Sequence, residues 1–570
     1  MSRKIYFTQV DFLEDYRGKA FSGDWPTISE AFAITVSRYP DNEALKSITP
    51  TVFSLTFKKA YEKIKEIAYY IRSMGIKKGD KVAVCGKNSP QWALAYLSIT
   101  YSGAVIVPLD HGLKSDEMKN LIEFGDVKGI FADEDRIDVE SSCLSFKVSL
   151  ESGDRYPYIM DVKGEECEIE KTDCYDTAAI LFTSGTTGSP KGVMLSHVNL
   201  VSDAFKMLRY MTLYPTDVVY AVLPIHHAYT MTAVFLECMF SGACCLFGKR
   251  LVVPVILREL KEGKVTMFLA VPMIYNRFLS SIMAGIEKEG KVKAFFVHFL
   301  MGLSGVIKKI TGINVGKKFF GKAILSKASL NGIRVCISGG GPLPASTFKR
   351  FNQLGLDFVQ GYGLTETSPV THLNPVAAYK EESVGKIIPT LEQKIVDPDE
   401  EGNGILYIKG SVVMQGYYKN PEATKEVLSE YGWFNTGDVG HIDSEGYLYL
   451  TGRAKSVIVT EGGKNVFPEE IEDKFQLYGE VEQIAVIPYL INKETKSEGI
   501  RAVIYPNPQL LKKNGLEETS KMISSIVEDV NRDLQSYKKI TMVTVSDEPL
   551  PTTSTRKIKR FEVIKKYKEL

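Results

Sequence analysis

The sequence predicts an α/β protein that ends in a separate, smaller domain, and three observations lead to this fold class. Apolar strand-like segments alternate with helical segments through most of the chain, as in 81–86, 89–103 and 104–110, which is typical of βαβ units around a mostly parallel sheet. From about Gly404 the pattern changes to short strands separated by Gly, Asn and Asp turns, which indicates a small antiparallel or barrel-like subdomain. After residues 451–456, about 115 further residues carry strand and helix signals of their own, enough for a second core.

The composition indicates a large soluble body with no bias toward a polyanionic partner. The 570 residues are 44% apolar, and 70 basic against 69 acidic residues leave a net charge of +1, which gives no global field for nucleic acid. The N-terminus lacks the apolar core of a secretory signal, so we expect a cytoplasmic protein. The longest apolar stretch, Met231–Phe247, contains Glu237 and Gly242 and is shorter than the roughly 20 residues of a membrane span, so we expect buried helix and strand there. The eight cysteines show no zinc-ligand spacing and are expected to be reduced core residues.

A glycine-rich segment, ILFTSGTTGSPKGV at 180–193, is the first candidate site. Backbone N–H groups of such a loop come close to an oxyanion, and hydroxyls and a lysine complete a cradle for phosphate. The residues that fit this need are Thr183, Ser184, Gly185, Thr186, Thr187, Gly188, Ser189, Lys191 and Gly192. Taken alone, the segment is also compatible with a surface loop, since Gly and Ser are ordinary loop residues. The spacing G-x-x-x-x-G-K-[ST] is absent, which excludes a P-loop NTPase.

Three further stretches follow in order: GYGLTETSP at 361–369, GWFNTGDVG at 432–440 and GYLYLTGRAKSVIV at 446–459. Together with the glycine-rich segment they resemble the motifs of the adenylate-forming superfamily, which includes acyl-CoA synthetases, luciferases and nonribosomal-peptide adenylation domains. The resemblance extends from about residue 25 to the C-terminus.

The resemblance also implies a domain architecture. It implies a large N-terminal domain, 1–452, made of two αβ sheet subdomains plus a small β-barrel. A hinge at 453–456 would join it to a small mobile α+β C-terminal domain, 457–570. In the family the small domain rotates about a residue that corresponds here to Lys455, so that two half-reactions share one site. The rotation would present the segment around Gly463 to the pantetheine arm of coenzyme A.

The ATP site follows from the same resemblance. The glycine-rich loop is expected to hold the β- and γ-phosphates of ATP. Glu366 would ligate Mg²⁺, Thr365 would contact the phosphates and Tyr362 would lie against adenine. The remaining expected contacts are those of Asp438 and Arg453 with ribose, and of Gly339, Gly340 and Gly341 with the base or the acyl chain, which pass close to a backbone without side chains. Each of these residues also has a structural explanation, as a turn residue or as a member of an ion pair.

The segment LPTTSTRKIKR at 550–560 would by itself indicate a solvated basic tail. Aligned with the family pattern P-x-T-x-x-G-K, it places Lys557 at the catalytic lysine. A cation there would attract the substrate carboxylate and stabilise charge that develops on the α-phosphate. Arg556 stands where the family often has glycine, so the local loop geometry departs from the pattern.

The segment LPIHHAYTMTAVF at 223–235 favours an uncharged acyl substrate. Amino-acid-activating relatives place an aspartate shortly after this region, whereas here no carboxylate occurs before Glu237. His227 matches the family histidine that borders the acyl site, and Tyr229 is a candidate for the acyl entrance. Both residues, and the neighbouring His226, are also compatible with structural roles.

Residues 288–327 form a lysine-rich insertion with nine lysines and one glutamate among apolar stretches. An insertion of this character at this point resembles long-chain acyl-CoA synthetases. A basic amphipathic segment suits an anionic membrane surface or an acidic carrier protein. A helical hairpin packed on the main domain is the structural alternative.

These observations lead to a function. We expect a long-chain fatty acid–CoA ligase that uses ATP, Mg²⁺ and coenzyme A. The fatty acid carboxylate would attack the α-phosphate to give acyl-adenylate and pyrophosphate, and a thiol would then take the acyl group as AMP leaves. Two alternatives remain open: an acyl-acyl carrier protein ligase with the same first step, and a non-catalytic acyl or nucleotide binder. If the insertion binds lipid, a peripheral position at the inner membrane face is expected.

Overall fold

The computed structural model describes residues 11–184, 190–208, 210–460, 464–492, 497–553 and 557–567. In chain order, its strands are β1 (Glu43–Ser47), β2 (Phe53–Thr56), β3 (Lys81–Cys85), β4 (Val105–Leu109), β5 (Val127–Ala132), β6 (Phe146–Ser149), β7 (Thr177–Ser184), β8 (Pro190–Ser196), β9 (Val218–Ala221), β10 (Cys244–Phe247), β11 (Met267–Ala270), β12 (Val335–Ser338), β13 (Asp357–Gly363), β14 (Val370–Leu373), β15 (Gly385–Ile387), β16 (Glu392–Val396), β17 (Gly404–Lys409), β18 (Gly416–Tyr417), β19 (Phe434–Ile442), β20 (Tyr447–Arg453), β21 (Ile458–Val459), β22 (Asn465–Val466), β23 (Val481–Asn492), β24 (Ser497–Pro506) and β25 (Met542–Val545). Its α-helices are α1 (Ile28–Arg38), α2 (Phe57–Ser73), α3 (Pro90–Tyr101), α4 (Ser115–Phe124), α5 (His197–Met207), α6 (Ala228–Thr230), α7 (Glu237–Ser241), α8 (Val253–Glu262), α9 (Pro272–Lys288), α10 (Lys291–Thr311), α11 (Gly316–Phe320), α12 (Ala345–Gln353), α13 (Pro421–Val427), α14 (Pro468–Phe475), α15 (Pro508–Asp533) and α16 (Arg560–Tyr567).

A seven-stranded sheet forms the first subdomain, with the strand order β18-β8-β7-β4-β3-β5-β6. Strands β3 to β7 pair in parallel, and β8 turns back antiparallel to β7. The sequences of β3 and β4, KVAVC and VIVPL, are nearly continuous apolar runs, and almost all of their residues are buried, as parallel strands between helical layers require. The predicted βαβ organisation is therefore confirmed.

A thirteen-stranded sheet forms the rest of the large domain, in the order β16-β17-β19-β20-β15-β14-β13-β12-β11-β9-β10-β1-β2. Neighbours from β13 to β1 are parallel, and pairing becomes antiparallel from β14 onward. The antiparallel region thus begins at Val370, about thirty residues before the predicted Gly404. The sequence pattern missed β14 to β16 because long loops without regular Gly and Asn turns separate them.

The apolar stretch 231–247 is a buried helix and strand, as predicted. Met231–Leu236 is a π-helical segment, α7 follows it, and β10 completes the stretch. Glu237 is only 2% exposed, and Gly242 ends α7 with a φ of +80°, which favours glycine. The prediction that all eight cysteines lie in the core is wrong for two of them: Cys143 and Cys167 are exposed, in polar loops.

The lysine-rich insertion contributes the second helix, α10, of a helical hairpin. Helices α9 and α10 are joined by the short turn at 289–290, and α11 and a π-helical segment, Gly321–Leu325, follow. Helix α10 packs on α9 and α12. Among the described residues it is the one helix that is long and apolar enough to cross a membrane by length and composition, and 22% of its most apolar window is buried. The hairpin alternative is therefore confirmed for one face of the helix.

The C-terminal residues form a small α+β unit with its own core. Strands β23 and β24 are antiparallel, and β25 joins β24 in parallel. Residues of α14 and α15, including Ile471, Phe475 and Ile523, bury the face of this sheet. The expected hinge, 453–456, contains the last residue of β20 and the 3-10 turn Ala454–Ser456. The domain boundaries and the hinge stay predictions.

Candidate active site

Strand ends of the second sheet bring the predicted ATP residues to one edge. Parallel β12 and β13 are neighbours, so their carboxyl ends place the glycine turn at 339–341 beside Tyr362. Gly340 has a φ of +78°, which glycine adopts without strain. A side chain on Gly339 would come within 3.0 Å of the Tyr229 ring. Both glycines therefore allow a close approach of backbone to a ligand and to a neighbouring ring.

Tyr362, Asp438 and Arg453 form a hydrogen-bonded group. Asp438 and Arg453 are cross-strand partners in β19 and β20. The Arg453 Nε lies 2.9 Å from Asp438 Oδ1, and the Tyr362 hydroxyl donates to Asp438 Oδ2 at 2.5 Å. Burial and the nearby carboxylate raise the pKa of Tyr362 well above its usual value, while the Asp438 charge raises the pKa of Arg453. Carboxylate oxygens accept more than one hydrogen bond, so this group is compatible with the predicted ribose contact.

Tyr417, which the sequence did not indicate as a site residue, connects Glu366 to the glycine-rich segment. The Tyr417 hydroxyl donates to Glu366 Oε1 at 2.9 Å, and the Lys191 ammonium lies 4.7 Å from the centroid of the Tyr417 ring. The backbone N–H of Met414 donates to the Glu366 carbonyl at 2.9 Å. A carboxylate next to a lysine and hydroxyl groups is a donor set that fits Mg²⁺ and the phosphates it neutralises. Glu366 and Lys191 are thus the residues that would hold this ion and its phosphates.

The remaining predicted phosphate-site residues are described in part: Thr183 and Thr365 are described in full, Ser184 by its backbone, and most of the others lie outside the described residues. Thr183 pairs with Lys191 across β7 and β8, and its hydroxyl donates to the Lys191 carbonyl at 3.4 Å. Thr365 lies in the 3-10 turn Thr365–Thr367, immediately before Glu366. Ser184 is the last residue of β7, described here by its backbone alone. The residues that fall outside the described ranges are Gly185, Thr186, Thr187, Gly188, Ser189, Gly463 and Arg556.

Lys557 lies close enough to the Asp438 group to feel the charges of Arg453 and Asp438. Its backbone is held by Thr553, which donates to the Lys557 carbonyl at 2.8 Å and accepts from its N–H at 3.1 Å. The residue as a whole remains partly accessible to solvent. The positive charge of Arg453, and then desolvation, lower the pKa of Lys557, while Asp438 opposes the shift. The structure therefore brings the predicted catalytic lysine to the predicted ribose-binding pair.

Polar contacts join the C-terminal α+β unit to α9 and to the segment that follows the glycine turn. The Asn276 side chain donates to Gln476 Oε1 at 3.2 Å, and Gln476 in turn donates to the carbonyl of Pro342 at 3.3 Å. Arg277 forms an ion pair of 2.5 Å with Glu482. Contacts of this polar kind, at few points, are typical of interfaces between domains that move relative to each other.

A cavity with largely apolar walls opens next to Tyr362 and the glycine turn. Its volume is about 70 Å³, and its apolar walls are contributed by Met207, Met211, Ala233, Leu269, Val370 and Leu373. Among the described residues, none with an ionised side chain lines it, so the uncharged acyl group predicted from the sequence suits these walls. Small-molecule sites have volumes of roughly 300–1,000 Å³, so a long acyl chain requires the flexible methionine side chains to move.

The histidine pair lies at the start of the cavity's helical wall. His227 precedes α6, whose Tyr229 lines the cavity and donates to the Ile337 carbonyl at 3.3 Å. Burial lowers the pKa of both histidines, that of His226 to about 3, so both rings are neutral near pH 7. His226 Nε2 lies 3.6 Å from Asp110 Oδ2. The π-helical segment 231–236 follows and contributes Ala233 to the cavity lining; this type of irregularity is frequent at functional sites, and nothing in the sequence indicated it.

One further group of described residues has metal-ligand side chains within reach of one another. His111 Nε2 lies 3.0 Å from Asp135 and 3.8 Å from Asp133, at the carboxyl ends of β4 and β5. Burial raises the pKa of Asp133 to about 6. Hydrogen bonding between histidine and carboxylate accounts for this arrangement.

Comparison with known proteins defines the class. A family model described as AMP-binding enzyme matches residues 32–418. The match covers well over half of the chain, and the chain belongs to this family. Together with the fold and the site, it identifies an ATP-binding, acyl-activating ligase that forms an adenylate.

Relatives with curated names act on different acids. A chloroplastic long-chain-fatty-acid–acyl-carrier-protein ligase of Arabidopsis thaliana is 28% identical over 98% of this chain and 88% of that protein. A long-chain-fatty-acid–CoA ligase of Rattus norvegicus is 27% identical over 78% of this chain and 72% of that protein. A feruloyl-CoA synthase of an Amycolatopsis species is 26% identical over 90% and 94%.

Solved structures share the fold. ATP-bound MatB from Rhodopseudomonas palustris matches with a TM-score of 0.75 at 24% identity, over 95% of this chain and 99% of that chain. An o-succinylbenzoate coenzyme A synthetase from Bacillus subtilis, in complex with ATP and magnesium, matches with a TM-score of 0.71 at 22% identity, over 93% and 98%. The predicted fold class is therefore confirmed.

Proposed function

We propose that this protein activates a long-chain fatty acid with ATP and transfers the acyl group to coenzyme A. The observation that carries the proposal is the cavity whose described walls are largely apolar and carry no ionised side chain, and which opens beside the glycine turn and Tyr362. Tyr362 lines the cavity and donates to Asp438, which pairs with Arg453 near Lys557, so a carboxylate at the mouth of the cavity would lie near the groups assigned to the nucleotide. Relatives named as long-chain ligases support this substrate class.

The first half-reaction joins the carboxylate to AMP. A carboxylate oxygen forms a bond to the α-phosphorus, and the bond from that phosphorus to the bridging oxygen breaks as pyrophosphate leaves. Lys557 would stabilise the added negative charge, and because a lysine with a lowered pKa still acts as a cation below that pKa, no proton transfer is needed. Glu366 and Lys191 would hold Mg²⁺ and the departing phosphates.

The second half-reaction transfers the acyl group to sulfur. A thiolate attacks the acyl carbonyl carbon, and the bond to AMP breaks. Coenzyme A is the proposed acceptor; Gly463, which the family resemblance assigns to its pantetheine arm, lies outside the described residues. Acyl carrier protein is the second candidate, and one observation favours it: the carrier-protein ligase of Arabidopsis thaliana aligns with 98% of this chain.

Pyrophosphate release tests the proposal. Saturated fatty acids from eight to about eighteen carbons, ferulate and malonate would each be supplied with ATP and Mg²⁺. Release that rises with chain length and is absent with ferulate and malonate is expected, because apolar burial contributes about 0.8 kcal/mol for each CH₂ group. A preference for ferulate would overturn the substrate class but keep the adenylation step.

The acceptor is tested separately. Acyl-adenylate formed in the first assay would be offered to coenzyme A and to pantetheinylated acyl carrier protein at equal concentrations. Faster thioester formation on coenzyme A is expected. Faster formation on the carrier protein would replace the proposed acceptor, and pyrophosphate release without either thioester would point to a different acceptor class.

A further inference from the structure

The solvent face of α10 carries a continuous apolar stripe. Residues between 43% and 84% exposed recur along it at alternating intervals of four and three: Val292, Phe296, Phe299, Leu303, Val306 and Ile310. This spacing places them on one face, over a length of about 27 Å. Phe295, 75% exposed, widens the stripe near its start. Soluble proteins rarely expose a contiguous apolar surface of this kind unless it is an interaction site.

The opposite face of α10 is fixed to the protein. Ala294, Met301, Ser304 and Lys308 are buried. Lys308 Nζ lies 2.7 Å from a carboxylate oxygen of Asp357 and also donates to a side-chain amide oxygen of α12. These contacts, whose lysine end is buried, would have to break if the helix left the body to cross a bilayer, and Lys308 would then lose the partners that compensate its charge. The helix therefore presents one face only.

Positive charges border the stripe on both sides. At 100° per residue, Lys291 and Lys309 lie to one side of the apolar row and Lys293 to the other. No aspartate or glutamate occurs between residues 291 and 311. At the preceding turn, Glu287 is exposed and the charge of Glu289 is matched by Lys327 at 3.2 Å.

We propose that α10 is a membrane-docking helix that lies in the plane of an anionic bilayer. Its apolar stripe enters the boundary between headgroups and acyl chains, and its lysines extend toward the lipid phosphates. In-plane helices of this type combine a buried apolar face with a basic border, and lysine stems pack along apolar surface while the ammonium groups stay in water. The inference concerns a surface outside the ATP site and does not depend on the acyl substrate.

The charge pattern favours lipid over a protein partner. A second copy of the chain on a two-fold axis would bring the two lysine borders together, since the same patch meets itself, and like charges there repel. An acidic protein would satisfy the lysines, but protein interfaces are only about 56–58% apolar and surround their apolar core with polar groups. Along the stripe, by contrast, every large exposed side chain is aliphatic or aromatic over its full length.

Sedimentation of the full chain with vesicles tests the proposal. The probes are phosphatidylcholine vesicles with and without phosphatidylglycerol. The wild type is expected to sediment with the anionic vesicles. Replacing Lys291, Lys293 and Lys309 with glutamine should weaken that binding on the order of a hundredfold and reduce its salt dependence, since each lysine near the surface contributes about 1 kcal/mol. The triple change Phe295→Ser, Phe296→Ser and Phe299→Ser should abolish binding to both kinds of vesicle.

Matched controls separate the stripe from general effects. Lys512, Lys513 and Lys521 are exposed lysines of α15, and their replacement with glutamine should leave sedimentation unchanged. Tyr431 is 80% exposed outside the insertion and offers an apolar control, Tyr431→Ser. Depth is measured with Phe299→Trp, whose fluorescence should be quenched by brominated phosphatidylcholine in the bilayer, whereas that of Tyr431→Trp should not.

Each other outcome overturns the proposal. Absence of wild-type sedimentation, or sedimentation of the lysine and phenylalanine variants equal to wild type, would exclude lipid as the occupant. A wild-type dimer in solution that the phenylalanine variant converts to monomer, without vesicle binding, would assign the stripe to a second copy. If the phenylalanine variant lost acyl transfer to carrier protein but still bound vesicles, the stripe would be assigned to carrier protein.

Discussion

The Tyr417→Phe substitution isolates a single hydrogen bond next to the proposed magnesium ligand. The change removes one oxygen atom from a side chain that is 6% exposed and leaves its ring under the Lys191 ammonium. The lost bond is the 2.9 Å contact from the Tyr417 hydroxyl to Glu366 Oε1. Without it, the Glu366 carboxylate is free to rotate away from the orientation that a metal ion requires.

The size of the effect follows from the charge of the acceptor. A hydrogen bond to a charged group contributes about 1.5–3 kcal/mol. Loss of a residue that orients a metal ligand typically lowers metal affinity by about 10- to 100-fold, which is the same range. We therefore expect the Mg²⁺ concentration for half-maximal pyrophosphate release to rise by about 10- to 100-fold, with nearly normal release at saturating Mg²⁺.

Tyr418→Phe is the matched control. The Tyr418 hydroxyl donates to Asp126 at 2.7 Å, on the exposed side of the same segment. Both variants would be assayed for fatty-acid-dependent pyrophosphate release across a Mg²⁺ titration, with thermal unfolding measured in parallel. An unchanged Mg²⁺ requirement in Tyr417→Phe, or an equal loss in both variants at every Mg²⁺ concentration, would refute the role of Glu366 in holding the ion.

Three further predictions concern other parts of the chain. Lys557→Ala should lower pyrophosphate release by about a hundredfold or more but leave thioester formation from supplied acyl-adenylate unchanged; equal loss in both assays would contradict its assignment. Burial lowers the pKa of His197 to about 4, whereas a histidine in the unfolded chain titrates near 6.5. The unfolded chain therefore takes up the proton first as the pH falls. Between about pH 7 and about pH 5, this group should lower the free energy of unfolding by about 2 kcal/mol. His197→Gln should remove that part of the pH dependence in urea unfolding, and an unchanged slope would show that the ring is protonated in the fold. Lys308→Gln should lower the free energy of unfolding by about 2 kcal/mol, because it breaks the ion pair with the partly exposed Asp357, while Lys309→Gln, on the adjacent exposed residue, should lower it by less than about 0.5 kcal/mol.

Motif order led to the expectation that distant stretches of the chain share one site. The stretches that contain Tyr362, Asp438, Arg453 and Lys557 are separated by up to about a hundred residues, and the structure brings these four residues close to one another. Short motifs can predict such proximity because they lie at strand ends, and the fold fixes where strand ends meet. The roles of these residues stay predictions.

Features that depend on distant packing were not accessible from the sequence. Tyr417 acts on Glu366, fifty-one residues away, through strand β18, whose two residues give no pattern. The sequence predicted that the nine lysines of the lysine-rich insertion would act together as one basic surface. In the structure these lysines fall into two groups. Lys308 and Lys317 donate to oxygens of the main body of the protein, and other lysines of the insertion are exposed. Burial separates a structural lysine from a surface lysine, and composition does not carry that information.

The π-helical segment 231–236 has a consequence for how this cavity could change during evolution. A π-helical segment accommodates one more residue than the α-helix it interrupts. Deleting one residue there would restore 3.6 residues per turn, while the residues that follow, including the buried Glu237, would keep their orientation. Ala233 lies in this segment and lines the cavity, so the deletion would change the side chain presented to the cavity without disturbing the core beyond it. The acid that this site accepts is therefore expected to respond to single insertions and deletions in the wall as strongly as to substitutions.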